Sequence, residues 1–169
     1  RLEFLGGKPE LLRLGHFDDV DLAMMIHTTP QPEMKKAGVS ASNNGCIVKT
    51  VRYIGRAAHA GGAPHLGINA LYAANIALAA INAVRETFRD EDSIRVHPII
   101  TQGGSQVNVI PGEVRLETYV RGKTVDAILD ANVRVDRALR AGALALGATV
   151  EIETLPGYLP LFNHAGMTE

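Results

Sequence analysis

The segment Val114-Arg-Leu-Glu-Thr-Tyr-Val-Arg121 alternates without a break: Val114, Leu116, Thr118 and Val120 lie on one side, Arg115, Glu117, Tyr119 and Arg121 on the other. Successive strand side chains point to opposite faces, so this pattern predicts a strand with one buried and one wet face. A sheet built on it is covered on one side only, which excludes a doubly covered parallel sheet for this part of the chain.

The neighbouring segments extend that sheet. Residues 46–55 are rich in β-branched side chains and read as a first strand, closed upstream by the turn signal Asn43-Asn44-Gly45. An Ala-rich helix is predicted over residues 68–89, with Leu71, Ala74, Leu78, Ile81 and Phe88 at helical spacing on one face. Residues 94–101 are a second strand, 114–121 the third. Thr124 caps a second helix, with Asp126 in its first turn, an apolar stripe of Val125, Ile128, Val135, Leu139, Ala143 and Leu146, and Gly147 as its stop. Residues 149–155 are a fourth strand, ended by Pro156-Gly157. The order predicts an α+β fold: a split β-α-β-β-α-β (ferredoxin-like) four-stranded antiparallel sheet with two helices on one face.

Upstream the pattern differs. Residues 22–26 form a continuous apolar run closed by His27. Such a run predicts a strand buried on both faces, which belongs in an α/β domain rather than in this sheet. The chain lacks Met at position 1, and residues 162–169 open a turn and a possible helix start without completing an element. The expectation is a fragment in three parts: residues 1–44 a strip of an α/β catalytic domain, 45–156 the compact module, and 157–169 the return into the catalytic domain.

Composition narrows the functional classes. A net charge of -1, four Tyr, four Phe and no Trp give neither the basic field nor the stacking surface of a nucleic-acid binder. Residues 94–101 carry no aromatic side chain for base stacking. No apolar run is long enough for a membrane span. The single cysteine, Cys46, forms no intramolecular disulfide, and a reducing, cytoplasmic compartment is expected.

No GxSxG, HExxH, P-loop or paired-cysteine motif is present. Candidates are therefore single polar residues in special places. His59, in a loop of small residues between the first strand and the first helix, is either a solvated imidazole or a donor to a developing oxyanion. Gly103, Gly104 and Asn108 occupy the loop between the second and third strands; they form either a wide hairpin or a site where backbone and amide approach a ligand. Arg121, at the end of the third strand's wet face, is either an ordinary surface residue or a bidentate holder of a substrate carboxylate. His27 is either a hydrogen-bonded core histidine or a metal ligand at a strand's C-terminal end. His16, His65, His97 and His164 have no spacing that pairs them.

Five blocks in order resemble the M20 family of metal-dependent amidohydrolases and peptidases, particularly the branch of aminobenzoyl-glutamate hydrolase and related dipeptidases. They are Phe17-Asp-Asp-Val-Asp ending in His27, Gly55-Arg-Ala-Ala-His-Ala-Gly-Gly-Ala-Pro-His-Leu-Gly-Ile-Asn-Ala-Leu71, Arg95-Val-His97, Gly103-Gly-Ser-Gln-Val-Asn-Val-Ile-Pro111 and Val120-Arg121. The resemblance implies a two-domain hydrolase of amide bonds in N-acyl amino acids or dipeptide-like substrates, with a divalent metal centre of zinc or, as second choice, manganese. It implies that residues 45–156 are an inserted lid that forms a homodimer. It further implies that His59 reaches the partner's active site and stabilises the tetrahedral intermediate, that Asn108 and Arg121 contact substrate, and that His27 is a metal ligand. The family's remaining ligands and glutamate pair have no counterpart in the chain; Glu3 follows Leu2 rather than a second glutamate and does not take that role. The chain alone is therefore expected to be inactive and to hold no metal stably. A stand-alone dimerisation or small-ligand-binding module is the alternative.

Overall fold

The computed structural model describes residues 7–25 and 42–162. In chain order the elements are α1 (Gly7–Arg13), β1 (Ser42–Asn43), β2 (Gly45–Ile54), β3 (Ala58–His59), α2 (Ala70–Arg85), β4 (Arg95–Val96), β5 (Ile99–Gln102), β6 (Val109–Ile110), β7 (Glu113–Gly122), α3 (Val125–Leu146), β8 (Thr149–Tyr158) and β9 (Leu161–Phe162).

The main sheet runs β4–β7–β2–β8, with β5 also on β7, and every pairing is antiparallel. The alternating strand sits where its pattern requires: Val114, Leu116, Thr118 and Val120 of β7 are buried, while Arg115 is exposed on the opposite face. Val51 and Tyr53 of β2 join them in one core with Ala73, Ala74, Ala77 and Ile81 of α2 and Ala131, Val135, Ala138 and Leu139 of α3. Each large aliphatic side chain taken fully out of water here contributes about 1.5–3 kcal/mol. The fold is thus α+β, as the sequence predicts, with the second predicted strand in two pieces.

That division has a local cause. The break falls at His97-Pro98, and proline offers no N–H to a ladder. Both pieces keep one register on β7: three residues on from Val96 is Ile99, and three back from Val120 is Glu117. Together they fill one edge position, where a missing donor is tolerated.

Helix ends follow their caps. The Asn69 carboxamide oxygen accepts from the N–H groups of Leu71 and Tyr72, starting α2 two residues later than the apolar pattern predicts. Thr124 accepts from the N–H of Ala127 at 3.2 Å, and Gly147 ends α3 with φ 69°. The two helices cross at Gly142, where a Cβ would stand 2.1 Å from the carbonyl oxygen of Ala73.

One expectation is corrected, and one predicted strand is without partners among the described residues. The fourth strand continues through Pro156-Gly157 to Tyr158. β8 is an edge strand, which accommodates the proline, and a register shift at Cys46/Ile47 absorbs the change; a Cβ at Gly157 would lie 2.6 Å from Cys46 Sγ. Residues 22–25, predicted as part of a buried strand, are neither paired nor buried: Leu22 is 75% exposed and Met24 86%. A strand needs a neighbour for its backbone groups, and the described residues supply none there. Ile26 and His27 lie outside the described residues. Helix α1, which the sequence reading missed, contains no buried residue.

Candidate functional site

The segment between β2 and α2 folds as a closed loop. At its base Arg56 and Ile68 exchange both backbone hydrogen bonds, each 2.9 Å. Gly55 N–H donates to Gly112 O at 2.8 Å, and Ala70 N–H to Pro111 O at 3.0 Å, tying the loop to the segment that leads into β7. Higher up, β3 pairs with β6, setting Ala58 opposite Ile110 and His59 opposite Val109; Ala60 N–H donates to Asn108 O at 2.8 Å. Two loops some 50 residues apart in sequence thereby form one platform carrying His59 and Asn108. Their close approach needs glycine at 112, where a Cβ would meet Ala57 N at 2.9 Å.

His59 is exposed, and its Nδ1 accepts from the N–H groups of Gly62 at 2.9 Å and Gly61 at 3.2 Å. An imidazole nitrogen that accepts carries no proton, so the neutral ring is the Nε2–H tautomer and Nε2 is the donor. The Asn108 side chain is exposed at a turn and makes no hydrogen bond among the described residues. The platform therefore carries an imidazole donor and, one residue along the paired segment, a carboxamide that can donate or accept. Gly61 and Gly62 were missed in the sequence reading. Their signal is two glycines placed two and three residues after a loop histidine, with backbone N–H groups able to curl back onto it.

Gly103 and Gly104 shape the loop that delivers Asn108. Gly104 has φ +135°, which a side chain rarely adopts, and a Cβ on it would stand 3.0 Å from Pro111 Cγ. Backbone geometry thus accounts for that glycine. Gly103 is half-buried against Ile100 and Leu71.

Arg121 is not part of this platform. It lies eight residues along β7 from Glu113, which is about 27 Å at the usual ~3.4 Å per strand residue. Its guanidinium sits 4.9 Å from the ring centroid of Tyr119. Tyr158 is close by: burial, and then the neighbouring Cys46 thiol, push its phenol above the usual value, while the Arg121 guanidinium pulls it down. Tyr119 was missed as a partner, although its place two residues before Arg121 puts both on one strand face.

Among the described residues no group of three or more His, Cys, Asp or Glu could hold a metal ion, so these residues do not fit a metal centre. His27 lies outside them. No described helix is long and apolar enough to cross a membrane.

Residues 27–143 match the M20 family model described as the peptidase dimerisation domain. The chain belongs to the M20 peptidase family. This M20 chain is 33% identical over 149 residues to the Xaa-Arg dipeptidase of Mus musculus, covering 88% of the chain and 33% of that relative. It is 31% identical over 154 residues to the indole-3-acetyl-aspartic acid hydrolase of Enterobacter agglomerans, covering 88% of the chain and 34% of the relative. It therefore spans about a third of the length of the curated relatives it matches. Among solved structures, the aminobenzoyl-glutamate utilization protein from Klebsiella pneumoniae shares the fold with a TM-score of 0.63 at 24% identity, over 73% of this chain and 31% of that one. M20 metallopeptidases generally use divalent metals.

Proposed function

We propose that this M20 chain is the lid and dimerisation part of a metal-dependent amidohydrolase that cleaves the amide bond of an N-acyl amino acid or dipeptide-like substrate. The observation that carries this reading is the joining of His59 and Asn108 on one platform, with His59 Nε2–H set as a donor by the glycine N–H groups on Nδ1. A fixed donor of this kind, aimed at an amide carbonyl, stabilises the negative charge that develops on its oxygen during attack. The divalent metal, zinc or manganese, would supply Lewis acidity and an activated water from residues other than the described ones, with His27 as one ligand. On this reading the chain by itself hydrolyses nothing.

Two copies complete the site. Glu113, which follows the Gly112 tie between the platform loops, is about 27 Å along β7 from Arg121, a span longer than a small substrate, so Arg121 of one chain works with His59 and Asn108 of the second copy. The surface of α2 supports a homodimer: residues 70–84 include no charged side chain, and Tyr72, Asn75, Ala79, Asn82 and Ala83 are exposed. Interface centres are depleted in charge in this way. Alongside, β5 pairs only with β7, leaving an open edge with Ile99 58% exposed.

The β1–β9 pair, Ser42 opposite Phe162 and Asn43 opposite Leu161, brings the chain into and out of the module side by side. That supports residues 45–156 as an inserted lid, with 1–44 and 157–169 belonging to a catalytic domain. A cytoplasmic location, read from the lone buried Cys46, completes the proposal.

The test is His59→Ala in the full-length hydrolase containing this sequence. The turnover number is expected to fall about 10²–10³-fold, as for loss of an oxyanion donor, with KM within a few-fold. An unchanged turnover number removes His59 from the mechanism.

A further inference from the structure

Two like-charged pairs face each other across strands on the outer side of the sheet. Arg52 of β2 is opposite Arg115 of β7, and Arg95 of β4 is opposite Arg121 of β7. Directly opposed residues have Cβ atoms about 4.5–5.5 Å apart, and like charges there are destabilising. The first pair is resolved internally. The Glu113 carboxylate lies between the two guanidiniums, taking Arg52 on Oε2 at 2.7 Å and Arg115 on Oε1 at 3.0 Å.

The second pair has no such bridge. Neither Arg95 nor Arg121 forms an ion pair among the described residues. Arg95 donates only to the carbonyl of its neighbour Ile94, at 2.8 Å, and is exposed. Arg121 is half-buried and stacked over Tyr119. Asp90 lines the adjoining cavity with Arg85, Arg89, Arg95 and His97 but makes no ion pair with Arg95. A repulsive pair is thus present in a register that, elsewhere in the same sheet, is satisfied by one carboxylate accepting from both arginines.

We propose that Arg95 and Arg121 form a two-arginine clamp for an external carboxylate, with Arg95 as a second carboxylate-binding and specificity-determining residue. The clamp takes the place for the ligand that Glu113 takes for Arg52 and Arg115. The ligand class is a free carboxylate such as the α-carboxylate of an N-acyl amino acid. Tyr119 positions Arg121 by fixing the plane of its guanidinium. This rests on the reading of Arg121 as the substrate-carboxylate residue.

The test compares an N-acyl amino acid with its methylamide in the full-length hydrolase, for the wild type, Arg95→Gln and Arg121→Gln. Arg95→Gln is expected to raise KM for the free acid about 10-fold or more, the loss that goes with one charge-assisted hydrogen bond. It should leave the turnover number and the methylamide's KM within about two-fold. Equal effects on acid and methylamide, or none, overturn the clamp. If Arg121→Gln also leaves the acid unaffected, or the wild type cleaves neither compound, the underlying functional reading fails and the clamp fails with it. A measurement free of catalysis uses this chain itself: on titration with acetate, the Nε–Hε resonances of Arg95 and Arg121 should shift together, and Arg95→Gln should abolish the shift at Arg121. Absence of a shared shift in the wild type overturns the proposal.

Discussion

Lys49 Nζ lies 2.6 Å from Asp136 Oδ1, joining the centre of β2 to α3, and the same ammonium donates to Thr154 Oγ1 of β8 at 2.8 Å. Lys49 is fully buried and occupies an inward position of the sheet, whereas the Asp136 side chain keeps 28% of its surface in water. The two partners therefore differ in what their loss leaves behind. Without Asp136 an ammonium is stranded inside; without Lys49 the carboxylate still reaches solvent.

Asp136→Ala is accordingly expected to cost about 3 kcal/mol or more, the scale for orphaning a buried charge. Lys49→Met, which keeps the stem volume, should cost markedly less. Urea unfolding of both variants checks the order, and a larger loss for Lys49→Met would contradict it.

At Gly142 a methyl group has nowhere to go: its Cβ would fall 2.1 Å from Ala73 O and 2.9 Å from Ala77 N. Gly142→Ala should force α2 and α3 apart and destabilise the protein by about 1–3 kcal/mol despite alanine's better helix propensity. Thermal unfolding with no loss of stability would show that the helices can separate freely.

His59 should hold one tautomer in its neutral form, fixed by the two N–H groups that donate to Nδ1. Nitrogen-15 spectra of the imidazole are expected to show Nε2 protonated and Nδ1 bare in the neutral ring. Gly62→Pro, which removes the nearer donor to Nδ1, should shift the population toward Nδ1–H. An Nδ1–H majority in the wild type would be inconsistent with the loop geometry.

Glu113 is held below the usual carboxylate range by hydrogen bonds from Arg52 and then Arg115. A depressed folded-state value means the unfolded chain binds the proton more readily, so the stabilisation is present above the ordinary carboxylate range of about 4.3. It is lost as pH falls through the lower folded value. The melting-temperature difference between wild type and Glu113→Gln should favour the wild type at pH 7 and shrink toward zero as the solution is acidified below pH 4. A difference independent of pH would assign Glu113 a role other than its charge.

Local features of the sequence determined the elements and their faces. The alternation of Val114 to Val120, the Thr124 cap and the Gly147 stop each act within a few residues, through backbone conformation and side-chain direction, and each is found where the sequence places it. The tertiary structure decided what those elements meet. Residues 22–25 had the apolarity of a buried strand but found no neighbour among the described residues, and β8 ran through Pro156 because it lies at an edge. The union of His59 with Asn108, the opposition of Arg95 to Arg121 and the burial of Lys49 against Asp136 all depend on register between segments tens of residues apart. A one-residue slip of the strands would turn Lys49, His59, Arg95 or Arg121 to the other face, and the packing of α2 and α3 on the completed sheet fixes the register of the main sheet.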